Sequence, residues 1–368
     1  MSKLQRMVLL NPGPVTLSDR VRATLTAGDW CHREAEFATL TQAINTALVR
    51  VYSAMEQTYD AVIMTGSGTC AVESMLATFA PDHGKTLVVA NGVYGERMAR
   101  ILKVHTKPHL VCESAWTAPM DLAAVQERLD ADAEIACVAA VHHETTTGRL
   151  NDLDSLARLC ADRDVPLLLD CVSSFGAEMI DVENWDIAAI AGTANKCLHG
   201  VPGISFVVAK KDVWSAPKQR VGSVYLDLHA YHKGQHDDGY SPFTQSVQCA
   251  FALHEALAEL QDQGGFMQRR IDYLMRAKRI ADTLNRAGVE TLMPREYFSS
   301  VLWSYRLPQN VDYTAVHNRL KRDGFVIYAG QGQLANSIFR IAHMGDIDES
   351  DLSRLCESLA SVFVAKTP

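Results

Sequence analysis

No stretch of these 368 residues approaches the ~20 consecutive apolar positions that a membrane-spanning helix needs. The apolar start after Met-Ser-Lys-Leu-Gln-Arg-Met is broken at once by Asn11-Pro12-Gly13-Pro14, so a signal peptide's hydrophobic region is missing. A cytoplasmic protein with no membrane partner is the expectation. Positive charge is scarce too. The formal net charge is −8, the sequence pI is about 5.9, and no Lys/Arg-rich run stands out. A nucleic-acid backbone would find little general attraction, and no nucleic-acid partner is expected. An anionic substrate would have to be held by a few placed cations. The nine cysteines are scattered without a C-x-x-C pair, which suggests neither a disulfide framework nor a zinc site, and no metal is expected. There is no internal repeat and no low-complexity segment.

What is present is a globular composition, 48% hydrophobic and 21% charged, in a chain long enough for a large and a smaller domain. Residues 1–16 read as an arm, because two prolines and a glycine interrupt regular structure, and such an arm packs on a partner subunit or beside the active site. Residues 17–262 read as a large α/β domain. Short apolar runs at 61–65, 86–90, 135–141, 167–170 and 187–193 alternate with helical patterns, and a further strand follows Gly200-Val-Pro-Gly203. The polar, His- and Asp-rich stretch 211–245 reads as functional or interfacial. Residues 263–368 read as a smaller α+β domain with strands near 299–306, 325–328 and 337–341.

The strand ends carry the chemistry. Leu167-Leu-Leu-Asp170 presents an acid, and Ile187-Ala-Ala-Ile-Ala-Gly-Thr193-Ala-Asn-Lys196 presents an amine 26 positions later. In a mostly parallel sheet such ends share one edge, where ligands bind. Pyridoxal phosphate requires this pair: a lysine to condense with its aldehyde and a carboxylate to keep its ring nitrogen protonated. Taken alone, the pair favours the plainer reading of a capping Asp and a surface Lys, and the company it keeps reverses that. Gly66-Ser67-Gly68-Thr69, between a strand and a helix, forms an anion cup, but lacks the lysine of a P-loop and the spacing of G-x-G-x-x-G. Further clusters stand at Asn91-Gly-Val-Tyr94 and His143-Glu-Thr145-Thr-Thr-Gly148, and a Trp/His/Arg loop at Asp29-Trp30-Cys31-His32-Arg33 is a candidate binding element.

In this order, together with Leu10-Asn-Pro-Gly-Pro14, Asp170-Cys-Val-Ser-Ser-Phe-Gly176, Ala194-Asn-Lys-Cys-Leu-His-Gly-Val-Pro-Gly203, Tyr225-Leu-Asp-Leu228, Pro242-Phe-Thr244, Gly324-Phe-Val-Ile-Tyr328 and Phe339-Arg340, the clusters span nearly the whole chain. They resemble the fold-type I pyridoxal-phosphate enzymes of aminotransferase class V, and within that class the transaminases that act on 2-aminoethylphosphonate and pyruvate. The resemblance implies a mostly parallel central sheet with helices on both faces, pyridoxal 5'-phosphate as cofactor, an amino donor and a 2-oxo acid as small-molecule partners, and a homodimer with shared active sites. It implies Lys196 as the cofactor-bound lysine and proton carrier, and Asp170 at the ring nitrogen. Tyr94 would stack on the ring and Thr145 would bond the ring hydroxyl. Ser67, Gly68, Thr69 and Thr193 would hold the phosphate, with Thr244 entering from a second subunit. Arg340 would grip the substrate acid group, with Trp30 and Arg33 as further substrate contacts. The segment His32-Arg33-Glu34-Ala35-Glu36-Phe37 is instead similar to alanine– and serine–glyoxylate transaminases, and the donor stays open between the two. A pyridoxal-phosphate lyase or desulfurase, for which Cys31 is the candidate nucleophile, and a non-catalytic binding module are the more distant alternatives.

Overall fold

The computed structural model describes residues 6–216, 219–309 and 311–364. Its centre is a seven-stranded sheet. In chain order, β1 (Val8–Leu9) lies in the arm and is followed by α1 (Asp19–Thr24) and α2 (Ala35–Arg50). Then come β2 (Tyr59–Gly66), α3 (Gly68–Phe79), β3 (Lys85–Ala90), α4 (Val93–Val104), β4 (His109–Glu113), α5 (Leu122–Ala131) and β5 (Ile135–Val141). A small hairpin, β6 (His143–Glu144) and β7 (Arg149–Leu150), leads through α6 (Leu153–Ala161) to β8 (Leu167–Asp170), β9 (Ile187–Thr193) and β10 (Gly203–Lys210). The sheet order is β2-β10-β9-β8-β5-β3-β4. All neighbours pair in parallel except β10, which is antiparallel to both β2 and β9.

Alternation along the strands builds two faces. In β2, Ala61 and Ile63 join the core under α2 and α9, while Val62 and Met64 join the opposite core under α3 and α4. β8 and β9 are buried along their whole length, which is why they read as continuous apolar runs rather than alternating ones. After β10 come α7 (Lys211–Ser215), α8 (Leu228–Asp237), α9 (Val247–Asp262) and the long α10 (Gly265–Arg286). The remaining elements are β11 (Leu302–Arg306), α11 (Tyr313–Arg322), β12 (Phe325–Val326), β13 (Tyr328–Ala329), β14 (Ile338–Ala342) and α12 (Glu349–Val364). They enclose a separate core, into which the arm inserts Val8 and Leu10. Among the described residues no helix is long and apolar enough to cross a membrane.

Four local readings of the sequence change. The stretch 211–245, where the pattern predicted no element, holds the helices α7 and α8. The segment 109–113 is an edge strand that the pattern did not disclose, and its inward side is only half-covered. Lys196 does not end β9 but stands three residues beyond it, in a turn that reverses the chain into β10. The expected strand 325–328 is two pieces: β12 pairs in parallel with β1, and β13 pairs with β14. One strand cannot serve two sheets without breaking, and it breaks at Ile327, which is fully buried. The arm thereby runs from β12 to the sheet edge, where Gly13, at φ +110°, packs so close that a Cβ there would lie 3.1 Å from Lys196 Cγ.

Candidate active site

The carboxyl ends of the parallel strands converge on a cleft of about 570 Å³. β2 stops at Gly66, Ser67 caps α3 without a side-chain hydrogen bond, and Ser67 O accepts the N–H of Cys70 (2.8 Å) and Ala71 (3.4 Å). The first amides of α3, at Gly68 and Thr69, precede the helical ladder and are placed to receive an anion. Gly68 is required there by packing: a Cβ would come within 2.6 Å of Val172 Cγ1 and 3.4 Å of Thr193 Cβ. Arg97, one turn into α4, donates from Nη1 to Thr69 Oγ1 at 3.2 Å, with its guanidinium carbon 4.7 Å above the Tyr94 ring.

Tyr94 is positioned by a carboxylate that sequence reasoning left without a role. Glu144 is fully buried. It accepts from Tyr94 N (3.2 Å), Thr146 N (3.1 Å) and Thr146 Oγ1 (2.5 Å) at the N-terminus of α4, where a negative charge is favoured. Burial raises its carboxyl above the ordinary range, against the hydrogen bonds from Thr146. Gly92 makes the approach possible, since a Cβ there would sit 2.3 Å from Glu144 Cδ.

Asp170 and Thr145 are buried immediately behind the cleft wall. Asp170 Oδ1 accepts from Val172 N at 3.0 Å. Burial pushes its carboxyl up, offset in part by that amide and by the charges of Lys196 and Arg97. Lys196 lines the cleft with Nζ 5.8 Å from the Tyr94 ring centre. Thr193 Oγ1 donates to Asn195 Oδ1 at 2.8 Å. His143 Nδ1 lies 2.9 Å from Ser173 O, and burial lowers this imidazole to about 4. Two buried polar atoms of this wall, Thr145 Oγ1 and His143 Nε2, have no hydrogen-bond partner. A buried polar atom without a partner costs about 1–3 kcal/mol, and at these two positions beside the cleft a bound ligand would supply one.

From the opposite wall comes Arg340 on β14. Its Nε and Nη1 are fixed by the carbonyls of Ala329 and Thr145, both at 2.9 Å, which leaves Nη2 for another group. Tyr328 and Gln331 stand beside it. The cleft lining therefore contains three cations, Arg97, Lys196 and Arg340, and no carboxylate. Trp30, Arg33 and Thr244 lie elsewhere. Trp30 is 43% exposed and packs edge-on against Phe251. Arg33 donates to the carbonyls of Ser241 (3.5 Å) and Pro242 (3.3 Å), and Thr244 is exposed outside this chain's own cleft. A larger groove of about 800 Å³ between α2, α9 and the start of α10 is lined mostly by small and apolar side chains and has no lysine beside an anion cup.

The family model for aminotransferase class V matches residues 30–337. The chain belongs to aminotransferase class V. It is 34% identical over 355 residues to 2-aminoethylphosphonate–pyruvate transaminases from Bacillus cereus strain ATCC 10987 and Bacillus anthracis strain A0248, covering 96% of this chain and 97% of each relative. Among solved structures it is similar to alanine–glyoxylate aminotransferase from Nostoc sp., with a TM-score of 0.89 at 23% identity over 98% of this chain and 96% of that one. It is likewise similar to pyridoxamine–pyruvate aminotransferase from Mesorhizobium loti, with a TM-score of 0.89 at 23% identity over 99% of this chain and 94% of that one. At that identity the structures speak for the fold, which is that of fold-type I enzymes.

The chain is thus an aminotransferase, and its class implies pyridoxal phosphate. The residues present suit that group: a cup of free helix amides for a phosphate, an acid and a lysine at one edge, a flat aromatic over the space between, and two unpartnered polar atoms in the wall. Sequence reasoning missed Glu144, Arg97, Asn195, Tyr328 and Gln331. Glu144 sat inside a quoted motif, but only its contact with Tyr94 N reveals what it positions. The Asn91-Gly-Val-Tyr-Gly-Glu-Arg97 spacing, which sets Tyr94 and Arg97 three apart on one helical face, was a signal for Arg97.

Proposed function

We propose that this aminotransferase exchanges the amino group between 2-aminoethylphosphonate and pyruvate, giving phosphonoacetaldehyde and L-alanine, with pyridoxal 5'-phosphate as its cofactor. The observation that carries the reading is the charge of the cleft. Three cations line it among the described residues, and its one acid in this reading, Asp170, lies buried behind the wall, in a chain whose formal net charge is −8. Such a lining suits a cofactor phosphate at one end and a phosphonate or carboxylate at the other. The names of the full-length relatives agree with that chemistry.

When bound, pyridoxal phosphate supplies an aldehyde that accepts the amino group and a ring that withdraws electrons. The chain's own residues do the rest. The amides of Gly68 and Thr69, with the hydroxyls of Ser67, Thr69 and Thr193, hold the phosphate. Asp170 would keep a proton on the ring nitrogen: a cation opposite it lowers the carboxyl that burial alone raises, and the buried setting strengthens that charge pair. Thr145 Oγ1 gains a partner in the ring hydroxyl, and Tyr94 covers the ring face. Lys196 is the amine that would condense with the aldehyde, and when free its Nζ would carry a proton between the two carbons that flank the transferred nitrogen. Arg340 orients the substrate's acid group with the nitrogen its backbone bonds leave over. Thr244, Trp30 and Arg33 are exposed, Arg33 is bonded to the 241–242 segment, and in this reading they serve the second subunit of a homodimer.

The test is a half-reaction on cofactor-loaded protein, with Lys196→Ala as the blank. 2-Aminoethylphosphonate and L-alanine, added separately, should each shift the cofactor absorbance, and L-serine should not. A response to serine or alanine without one to the phosphonate would move the enzyme to the glyoxylate-using transaminases.

A further inference from the structure

We propose that Asp60, His232 and His236 form a binding site for a borderline divalent metal ion, of the Zn²⁺ or Ni²⁺ kind, at the end of the central sheet remote from the cleft. Among the described residues this is the cluster whose ligand atoms all come within 4.8 Å of one another. Its parts are set by two rigid elements. His232 and His236 are four apart on α8, hence on one face, the spacing by which a helix offers two imidazoles to one ion. Asp60 is the second residue of β2, whose other end runs into Ser67, so about seven residues of strand, roughly 23 Å, separate it from the anion cup.

The geometry is nearly made. His232 Nε2 lies 3.1 Å from Asp60 Oδ2, close to the ~3.3 Å separating two ligands that share a tetrahedral ion at about 2.0 Å. His236 Nε2 has only a 3.4 Å contact to Ala61 O, which a small ring rotation exchanges for the ion. The His232 ring is held flat against Trp214, centroids 4.3 Å apart and 10° from parallel, so its ligand atom is oriented in advance. Asp60 and His236 also border a cavity of about 230 Å³, with room for the water that completes three protein ligands. The competing charge is Lys211, whose Nζ is 4.0 Å from Asp60 Oδ1 but is anchored at 2.9 Å on Gln57 O. Two imidazoles and one carboxylate suit a borderline ion better than Mg²⁺ or Ca²⁺, which take oxygen ligands. An ion here would tie α8 to β2. Part of the His- and Asp-rich stretch 211–245 would thereby acquire a role that the transamination reading does not give it.

The experiment is equilibrium dialysis of the full-length, cofactor-loaded protein against Zn²⁺, with elemental analysis and thermal melts. The wild type and His83→Ala, a surface control, should retain one more equivalent of zinc than His236→Ala and Asp60→Asn. Zinc should raise the melting temperature of the first two and not the last two. His236 is exposed, so its loss leaves the fold intact, and cysteine-bound zinc is common to all four proteins. Equal zinc content in wild type and His236→Ala, or a melting shift that His236→Ala retains, would overturn the site.

Discussion

Glu144 illustrates how much one side chain can organise without touching substrate. Its two oxygens take the amide of Tyr94 and both donors of Thr146, and the adjoining Thr145 presents its hydroxyl to the cleft wall and its carbonyl to Arg340. Glu144→Gln replaces one acceptor with a donor facing another donor. The expected cost is about 1–3 kcal/mol of stability in urea unfolding, the range for a buried hydrogen bond left unmade. The same variant should weaken cofactor retention on dialysis. A variant as stable as wild type that keeps its cofactor would show that Tyr94 is positioned by other contacts. Asp170 and Lys196 were legible because an acid and an amine at or just beyond the ends of apolar runs are unusual, and Arg340 through the resemblance of its motif. Glu144 was not legible, because its function is a contact.

At the scale of elements, the close seating of α4 on β3 determines where Tyr94 and Arg97 point. Gly95 lies at that contact, and a Cβ there would be 2.7 Å from Ala90 Cα and 2.8 Å from Ala90 Cβ. Neither atom can rotate away. Gly95→Ala should therefore push α4 off the sheet, costing about 1–3 kcal/mol in chemical denaturation, as overpacking does. It should weaken cofactor binding along with stability. By contrast, Gly288→Ala introduces a Cβ with open space around it, and its cost should be confined to the positive φ of +77°. A Gly95→Ala protein with wild-type stability would refute the packing argument. Most helices and strands could be read from period and composition, but β1, β4, the β6–β7 hairpin, α7, α8 and the break at Ile327 could not. Those depend on which neighbour each element meets.

For the whole molecule, the distribution of buried titratable groups fixes the acid limit. Burial lowers His142, His143 and His343 to about 4 each, well below the ordinary 6.5. Between those values the unfolded chain binds protons that the folded chain refuses, so stability rises with pH across this window and falls as pH drops from about 6.5 toward 4. Each imidazole contributes up to about 3 kcal/mol to that fall. Glu178 adds to it at the acid end. Burial alone would raise its carboxyl, but bonds from Ser299 and Ser300 and the charge of Arg270 hold it below the ordinary range, so its contribution is present above about 4.5 and lost below. Asp170 and Glu144, raised by burial, oppose the trend by binding protons in the folded state. The net expectation is a melting temperature that declines from pH 6.5 to 4, with a shallower slope in His142→Gln. An unchanged slope in that variant would contradict a neutral buried His142.

Sequence alone determined that this is an α/β chain whose ordered motifs resemble aminotransferase class V. Apolar runs of strand length, helical periods between them and polar residues at their ends are properties of adjacent residues. It also disclosed the order of the motifs, which no single motif could have made specific. Tertiary structure decided what meets what: that the arm's Gly13 packs on Lys196, that Arg340 is fixed by the carbonyl of Thr145 from the other side of the cleft, that the lining carries three cations and no acid, and that Asp60 faces two histidines of α8. Those contacts join residues up to 195 positions apart. Distance in space between such residues is set by packing and register, which periodicity along the chain does not encode.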